Sequence, residues 1–335
     1  MTTDDTLITS RDGRVGRIVL NRPKALNALN LDMVRAMTKA LNEWRDDPHV
    51  HAVVISGTGD RAFCAGGDVI NLREGQMSGD RTEVEAFFSE EYALNLMIAT
   101  YPKPYIALID GICMGGGIGV SVYGPYRVTT EHASFGMPET AIGFFPDIGG
   151  TYFMPRMPGQ MGMYLGLTGL RIFGADAVHC GFGTHFTKRE DLPALSAALA
   201  AEGPAALVRF NQTLPAYSLA PHLADIDHCF SADTVLEMVH RLEKLDADWA
   251  KAALKAMRSV SPSAMVWTVE ALRRGANMTL PQALDFEFLL TRTTMAHPDF
   301  VEGVRSLVVD KDRNPKWSPP RLEDVDPNLL SQIFR

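Results

Sequence analysis

The sequence predicts an α/β fold that passes into a helical C-terminal half. Three observations carry this. Short β-rich runs alternate with helical periodicity over the first third of the chain, two glycine-rich segments follow strands there, and alanine- and leucine-rich stretches replace the strand signals beyond about residue 160. Residues 1–190 read as the core that carries the chemistry and 191–335 as a helical region, with no internal repeat and no tether-like linker between them.

The elements follow in order. Val15 to Leu20 (VGRIVL) is a β-rich run closed by the turn-prone Asn21-Arg22-Pro23-Lys24. Leu31, Val34, Met37, Leu41 and Trp44 recur at three- and four-residue spacing, which puts them on one helix face. Asn30 stands at the N-cap of that helix and Pro48 just beyond its end. Ala52 to Ile55 forms a second strand, Tyr105 to Ile109 a third and Arg127 to Thr130 a fourth, ahead of a turn-rich loop from Met137 to Gly150. Segments 192–209 and 232–257 and the run Ala283 to Met295 read as helical.

Composition excludes several classes. The 335 residues carry 32 Lys and Arg against 40 Asp and Glu, a formal net charge of −8. That balance lacks the basic excess of a nucleic-acid binder, while leaving room for local cations around a small anion. The hydrophobic share is 46% and the charged share 21%, as in folded globular chains. Met1-Thr2-Thr3-Asp4-Asp5 has no signal-peptide character, and the apolar stretch from Ile106 to Tyr126 is broken by Asp110 and by glycines, so no membrane span is expected. Cys64, Cys113, Cys180 and Cys229 show neither metal nor redox spacing and are expected as free thiols in a reducing compartment, the cytoplasm. The histidines, His49 and His51 among them, show no ligand pairing, so no metal is expected.

Walker A, H-E-x-x-H and G-x-S-x-G patterns are absent, and the cluster Gly115-Gly116-Gly117-Ile118-Gly119 lacks dinucleotide spacing. Two glycine-rich segments stand out, Phe63 to Val69 and Gly111 to Gly117. Glycine lets backbone approach a ligand and leaves N–H groups pointing outward, and two converging N–H groups would make an oxyanion hole. The alternative is that these glycines only let helix pack closely on sheet. Glu139 and Asp147 lie eight residues apart among Phe, Ile, Met and Pro. Apolar surroundings raise a carboxyl pKa toward the range useful for base or nucleophile work. Two solvated loop acids are the plainer reading of that pair, and the two glycine segments beside it favour function.

Arg22 to Leu29 (RPKALNAL), AFCAGGDV (62–69), KPYIALIDGICMGGGIG (103–119) and FGMPETAIGFFPDIGG (135–150) resemble the enoyl-CoA hydratase/isomerase (crotonase) superfamily. The likeness continues through Leu167-Thr168-Gly169 and Ala175 to Phe182. The tail HPDFVEGVRSLVVDKDRNPKWSPPRLEDV (297–325) resembles the C-terminal signature of the 3-hydroxyisobutyryl-CoA hydrolase branch, whose members act in valine breakdown and often also take 3-hydroxypropionyl-CoA. The resemblance implies a crotonase-like spiral of ββα units with a helical C-terminal region. Residue by residue, Gly67 and Gly116 match oxyanion-hole donors, Glu139 the principal catalytic carboxylate, Asp147 the second acid of the hydrolase branch and Glu91, in SEEYALN (89–95), a substrate-pocket acid. Lys24, Ala25, Leu26, Ala65, Gly66, Asp68 and Val69 match segments lining the CoA site. One position departs: where two-glutamate hydratases have their second glutamate, this chain has Gly119.

The resemblance thus implies thioester hydrolysis, with CoA entering as part of the substrate and no separate cofactor. Glu139 would attack directly, through an anhydride, or activate a water; Asp147 would hold the 3-hydroxyl or move protons. Hydration or isomerisation by Glu139 is the alternative among enzymes, and a silent CoA-binding or RNA-associated scaffold the alternative outside them. Homo-oligomers are common in the superfamily. Arg22 and Lys24 are the cations expected to meet CoA phosphates, Lys311, Arg313 and Lys316 of the tail would fold over the same site or serve a neighbouring subunit, and for each the alternative is a solvated surface cation.

Overall fold

The computed structural model describes residues 6–334 and, as backbone, Thr3 and Asp4; the rest of the Met1–Asp5 run lies outside the described residues. The strands are β1 (Thr3–Asp4), β2 (Leu7–Asp12), β3 (Val15–Leu20), β4 (Ala52–Gly57), β5 (Ala62–Cys64), β6 (Tyr105–Ile109), β7 (Ile112–Met114), β8 (Tyr126–Thr129), β9 (Ser134–Gly136), β10 (Ile172–Phe173) and β11 (His185–Phe186). They form a larger sheet in the order β1-β2-β3-β4-β6-β8-β11 and a smaller one in the order β10-β9-β7-β5.

The topology makes the spiral visible. β4, β6 and β8 enter the larger sheet, each is followed at once by a strand of the smaller sheet, and the chain then returns to repeat the step. Because every turn re-enters in the same direction, β3 to β4, β4 to β6 and β6 to β8 pair in parallel, whereas the β2–β3 hairpin is antiparallel. β4 and β6 are buried along most of their length, as parallel strands covered on both faces are. One face of the larger sheet takes Leu195 and Leu199 of the helix Leu192–Glu202 against Val54, Ile106, Leu108 and Val128. Each such leucine contributes about 1.5–3 kcal/mol.

Several expected elements are in place. The helix Leu31–Arg45 begins at Asn30, whose side chain accepts the Met33 N–H at 2.9 Å. The expected helix over 192–209 is Leu192–Glu202 followed by two shorter turns, that over 232–257 breaks into Val235–Glu243 and Asp248–Met257, and Ala283 to Met295 lies mostly within Leu280–Thr294. The smaller sheet escapes sequence reading because its strands are two or three residues long.

The chain divides into two compact units that interleave along the sequence rather than meeting once near residue 190. One comprises 1–68, 89–135 and 172–218, and the other 69–88, 136–171 and 219–335. The reason is packing: the segment Gly136–Arg171 is built into the C-terminal helices, while 172–218 returns to the larger sheet. Among the described residues no helix is long and apolar enough to cross a membrane, and no group of three or more His, Cys, Asp or Glu side chains could hold a metal.

Candidate active site

The glycine segments belong to the first unit, and hydrogen bonds show how they are set. Leu26 and Asn27 both take left-handed backbone, with φ of 52° and 57°. The Asn27 side chain is fully buried, accepts the Arg22 N–H and donates to the carbonyls of Thr58 and Ala62, each at 2.9 Å. Asparagine tolerates this conformation better than most residues, so the turn has a residue suited to it. Downstream the same segment zips onto the AGGD run: Ala65 N–H to Leu26 O, Leu29 N–H to Gly66 O and Asp68 N–H to Leu29 O, at 2.8–3.0 Å. These bonds bring Leu26 beside Ala65 and Leu29 beside Gly66 and Asp68, with Lys24 and Ala25 in the turn just before Leu26. Val69 opens the helix Val69–Ser78, which belongs to the other unit.

Gly116 is the first residue of the short helix Gly116–Gly119, where a backbone N–H has no partner within the helix. A Cβ placed on it would lie 2.5 Å from Glu91 Oε1, 3.2 Å from Leu29 Cδ1 and 3.4 Å from the Gly67 nitrogen. Three predicted site residues, Gly67, Gly116 and Glu91, therefore meet at one spot, and a side chain at 116 would have to push the Glu91 carboxylate aside. Glu91 is buried on the helix Thr82–Ala99. One turn further along that helix Asn95 is fully buried, and neither polar atom of its side chain has a protein partner. Gly119 is buried and offers no carboxylate. Burial pushes the Cys64 thiol up to about 12, so it stays protonated and takes no part as a nucleophile.

One expectation about cations is corrected. Arg22 is not a free phosphate ligand: its guanidinium pairs with Asp68 at 2.9 Å and donates to the Ala28 carbonyl. In the tail the Lys316 backbone N–H bonds Glu302 and its ammonium bonds Asn314, the Arg313 backbone N–H bonds Ser306, and Lys311, Arg313 and Lys316 are all exposed. Lys24 is exposed and lines a cleft of about 210 Å³ with Leu26, Asn27, Thr58, Gly59 and Arg61. Arg61 is the cation that sequence reading missed.

The acids belong to the second unit. Glu139 opens a single 3-10 turn, Glu139–Ile142, and is mostly buried. The tail signature packs on this turn: a Cβ on Gly303 would meet Ile142 Cα at 2.6 Å, and one on Gly143, whose φ is +65°, would meet the Asp299 carbonyl carbon at 2.3 Å. Asp299 is fully buried and accepts Ser261 Oγ at 2.5 Å and the Ser318 N–H at 2.8 Å. Phe144, just past the turn, stacks on Phe88 and its carbonyl accepts Trp267 Nε1–H. Asp147 sits in a turn whose next two residues, Ile148 and Gly149, both have positive φ. Glu287 accepts hydrogen bonds from this turn; no sequence signal marked it.

The family model for enoyl-CoA hydratase/isomerase matches residues 15–334. The chain belongs to the enoyl-CoA hydratase/isomerase family. Within the family it is 42% identical over 343 aligned residues to the mitochondrial 3-hydroxyisobutyryl-CoA hydrolase of Xenopus tropicalis, covering 99% of this chain and 89% of that one. It is 40% identical to the same-named protein of Homo sapiens, with the same coverage. Among solved members, a carnitinyl-CoA dehydratase from Mycobacterium thermoresistibile superposes with a TM-score of 0.95 at 38% identity, over 99% of this chain and 97% of its own. An enoyl-CoA hydratase from Rhodobacter sphaeroides gives 0.93 at 39%, over 98% and 97%. The crotonase-family fold expected from the motifs is thus the fold of this chain.

Proposed function

We propose that this chain is an acyl-CoA thioester hydrolase that cleaves 3-hydroxyisobutyryl-CoA to free CoA and the 3-hydroxy acid, a step of valine breakdown, and that it also accepts 3-hydroxypropionyl-CoA. The relatives named for this reaction match the chain from end to end. One observation carries the choice of hydrolysis over hydration: Glu139 and Asp147 are present, while residue 119 is a glycine with no carboxylate to complete a two-glutamate hydratase pair.

In this reading the N–H groups of Gly67 and Gly116 hold the oxygen of the thioester carbonyl as it gains negative charge. A carboxylate oxygen of Glu139 bonds to the carbonyl carbon, the C–S bond breaks, and CoA leaves as thiolate and takes up a proton. Water then opens the mixed anhydride, releasing the acid and restoring Glu139. Asp147 accepts a hydrogen bond from the substrate's 3-hydroxyl, and Glu91 lines the acyl pocket. Ala25, Leu26, Ala65, Gly66, Asp68 and Val69 line the CoA moiety, with Lys24 on its phosphates. The reaction consumes only water and CoA is part of the substrate, so no cofactor or metal enters. We further propose a cytoplasmic protein that binds neither nucleic acid nor membrane, with four buried thiols suited to a reducing compartment.

The solved members titled dehydratase and hydratase favour a second reading, addition of water to an enoyl-CoA. Thiol release from 3-hydroxyisobutyryl-CoA, measured beside loss of crotonyl-CoA absorbance, separates the two. Rapid release with slow hydration supports the hydrolase, and hydration without release overturns it.

A further inference from the structure

Two residues of the Asp147 turn sit in left-handed backbone: Ile148 at φ +54° and Gly149 at +78°. Glycine adopts this freely, but for a β-branched, fully buried isoleucine it is strained, and such a conformation persists only where the surroundings impose it. A group from 138 residues away bonds the backbone on the C-terminal side of Ile148. Glu287, on the helix Leu280–Thr294, is fully buried; its Oε2 accepts the Gly149 N–H at 2.6 Å, and its Oε1 accepts the Thr151 N–H at 2.9 Å and Thr151 Oγ1–H at 2.6 Å. Among the described residues no cation pairs with it.

A buried carboxyl without a cation is expensive, and burial pushes Glu287 up to about 8; the Thr151 hydroxyl pulls it down and the Asp147 carboxyl pushes it further up. Helix packing alone needs no such group, since leucine or methionine would fill the space more favourably. What the carboxyl supplies, and no apolar residue could, is three acceptor contacts arranged across one turn. We propose that Glu287 is a positioning residue for Asp147: it locks the 147–151 turn through Gly149 and Thr151 and so holds Asp147 for the substrate's 3-hydroxyl. The inference rests on the proposed hydrolysis of 3-hydroxyacyl thioesters.

Two variants test it. Assayed at about pH 9, where the wild-type carboxyl has lost its proton and both oxygens accept, Glu287→Gln keeps the volume but turns an amide NH2 toward either the Gly149 or the Thr151 N–H, donor against donor. Thr151→Val keeps the shape and removes one of the three donors. Each variant and the wild type are assayed for thiol release from 3-hydroxyisobutyryl-CoA and from isobutyryl-CoA, and for amide hydrogen exchange over residues 144–153. In Glu287→Gln the kcat/KM ratio of the hydroxylated to the plain substrate should fall at least about tenfold, with exchange faster across 147–151 and unchanged in the larger sheet. Thr151→Val should move both readouts the same way by a smaller factor, and it carries the test alone if Glu287→Gln does not fold. Equal losses on both substrates, or unchanged exchange at 149 and 151, overturn the proposal. A wild type that releases thiol from neither thioester overturns the hydrolase reading instead, and the exchange result then still decides whether Glu287 holds the turn.

Discussion

The two sets of residues proposed for the reaction, here the glycine half and the acid half, are built by opposite means. The glycine half, at Gly67 and Gly116, works with backbone, and its neighbours lie near in sequence or on the adjoining turn of the spiral. The acid half, at Glu139 and Asp147, works with side chains, and its turns are held by residues more than a hundred positions away, Glu287 and the tail around Asp299 and Gly303. A backbone donor needs only the fold and the absence of a Cβ. A carboxylate on a turn needs its turn fixed, and long-range contacts supply that.

The largest effect should come from the acid proposed to attack the thioester. Glu139→Gln removes the attacking oxygen while keeping shape, so kcat for 3-hydroxyisobutyryl-CoA should drop by orders of magnitude with KM little changed. Mass spectrometry of quenched wild type should show an acyl adduct on the peptide carrying Glu139. An active Glu139→Gln enzyme would move the nucleophile elsewhere.

Next comes the backbone half. Gly116→Ala drives a methyl into Glu91 Oε1 and into contact with the Gly67 nitrogen, so the Glu91 carboxylate must move and the space between the two amides is filled. Loss of one oxyanion donor costs about 2.7–4 kcal/mol in activation free energy, a fall of roughly a hundred- to a thousandfold in kcat. Steady-state thiol release checks this, with circular dichroism to confirm the fold; a near-normal rate would show that Gly116 serves packing only.

The pH dependence of stability sharpens the comparison further. Folded Glu287 titrates near 8 against an ordinary 4.5, so it keeps its proton where the unfolded chain has lost it. Its contribution is full below about 4.5 and lost as pH rises toward 8. Urea denaturation of wild type should therefore weaken, relative to Glu287→Gln, between pH 5 and 8.5. Parallel curves would mean that Glu287 titrates normally.

The smallest effect is expected on the exposed rim. Lys24→Ala should raise KM for CoA esters a few-fold at low salt with kcat unchanged, and the difference should shrink as salt rises, because exposed charges are screened over roughly 8–10 Å. An unchanged KM would assign the phosphates to Arg61 or to cations elsewhere.

What the sequence disclosed follows the same division. The glycine half was legible because glycine itself is the signal, and the strands before it are apolar runs. Glu139 and Asp147 were singled out because acids among Phe, Pro and Ile are conspicuous, and both are buried. Glu287 was not: in Asp285-Phe286-Glu287-Phe288 it reads as an ordinary helix acid, and only the fold places it under Gly149 and Thr151. Arg22 misled for the converse reason, since its partner Asp68 lies 46 residues on. The tail was recognised by likeness alone; its contacts on Ile142 and Gly143 give it a physical role.

The central claim is that the glycine half serves the carbonyl, which every thioester has, whereas the acid half reads the 3-hydroxyl. Its most direct measurement is kcat/KM for 3-hydroxyisobutyryl-CoA and isobutyryl-CoA in Gly116→Ala and Asp147→Asn. Gly116→Ala should lower both by the same factor, leaving their ratio at the wild-type value, and Asp147→Asn should collapse the ratio toward one. An Asp147→Asn enzyme that loses both activities equally, with the ratio preserved, would contradict it.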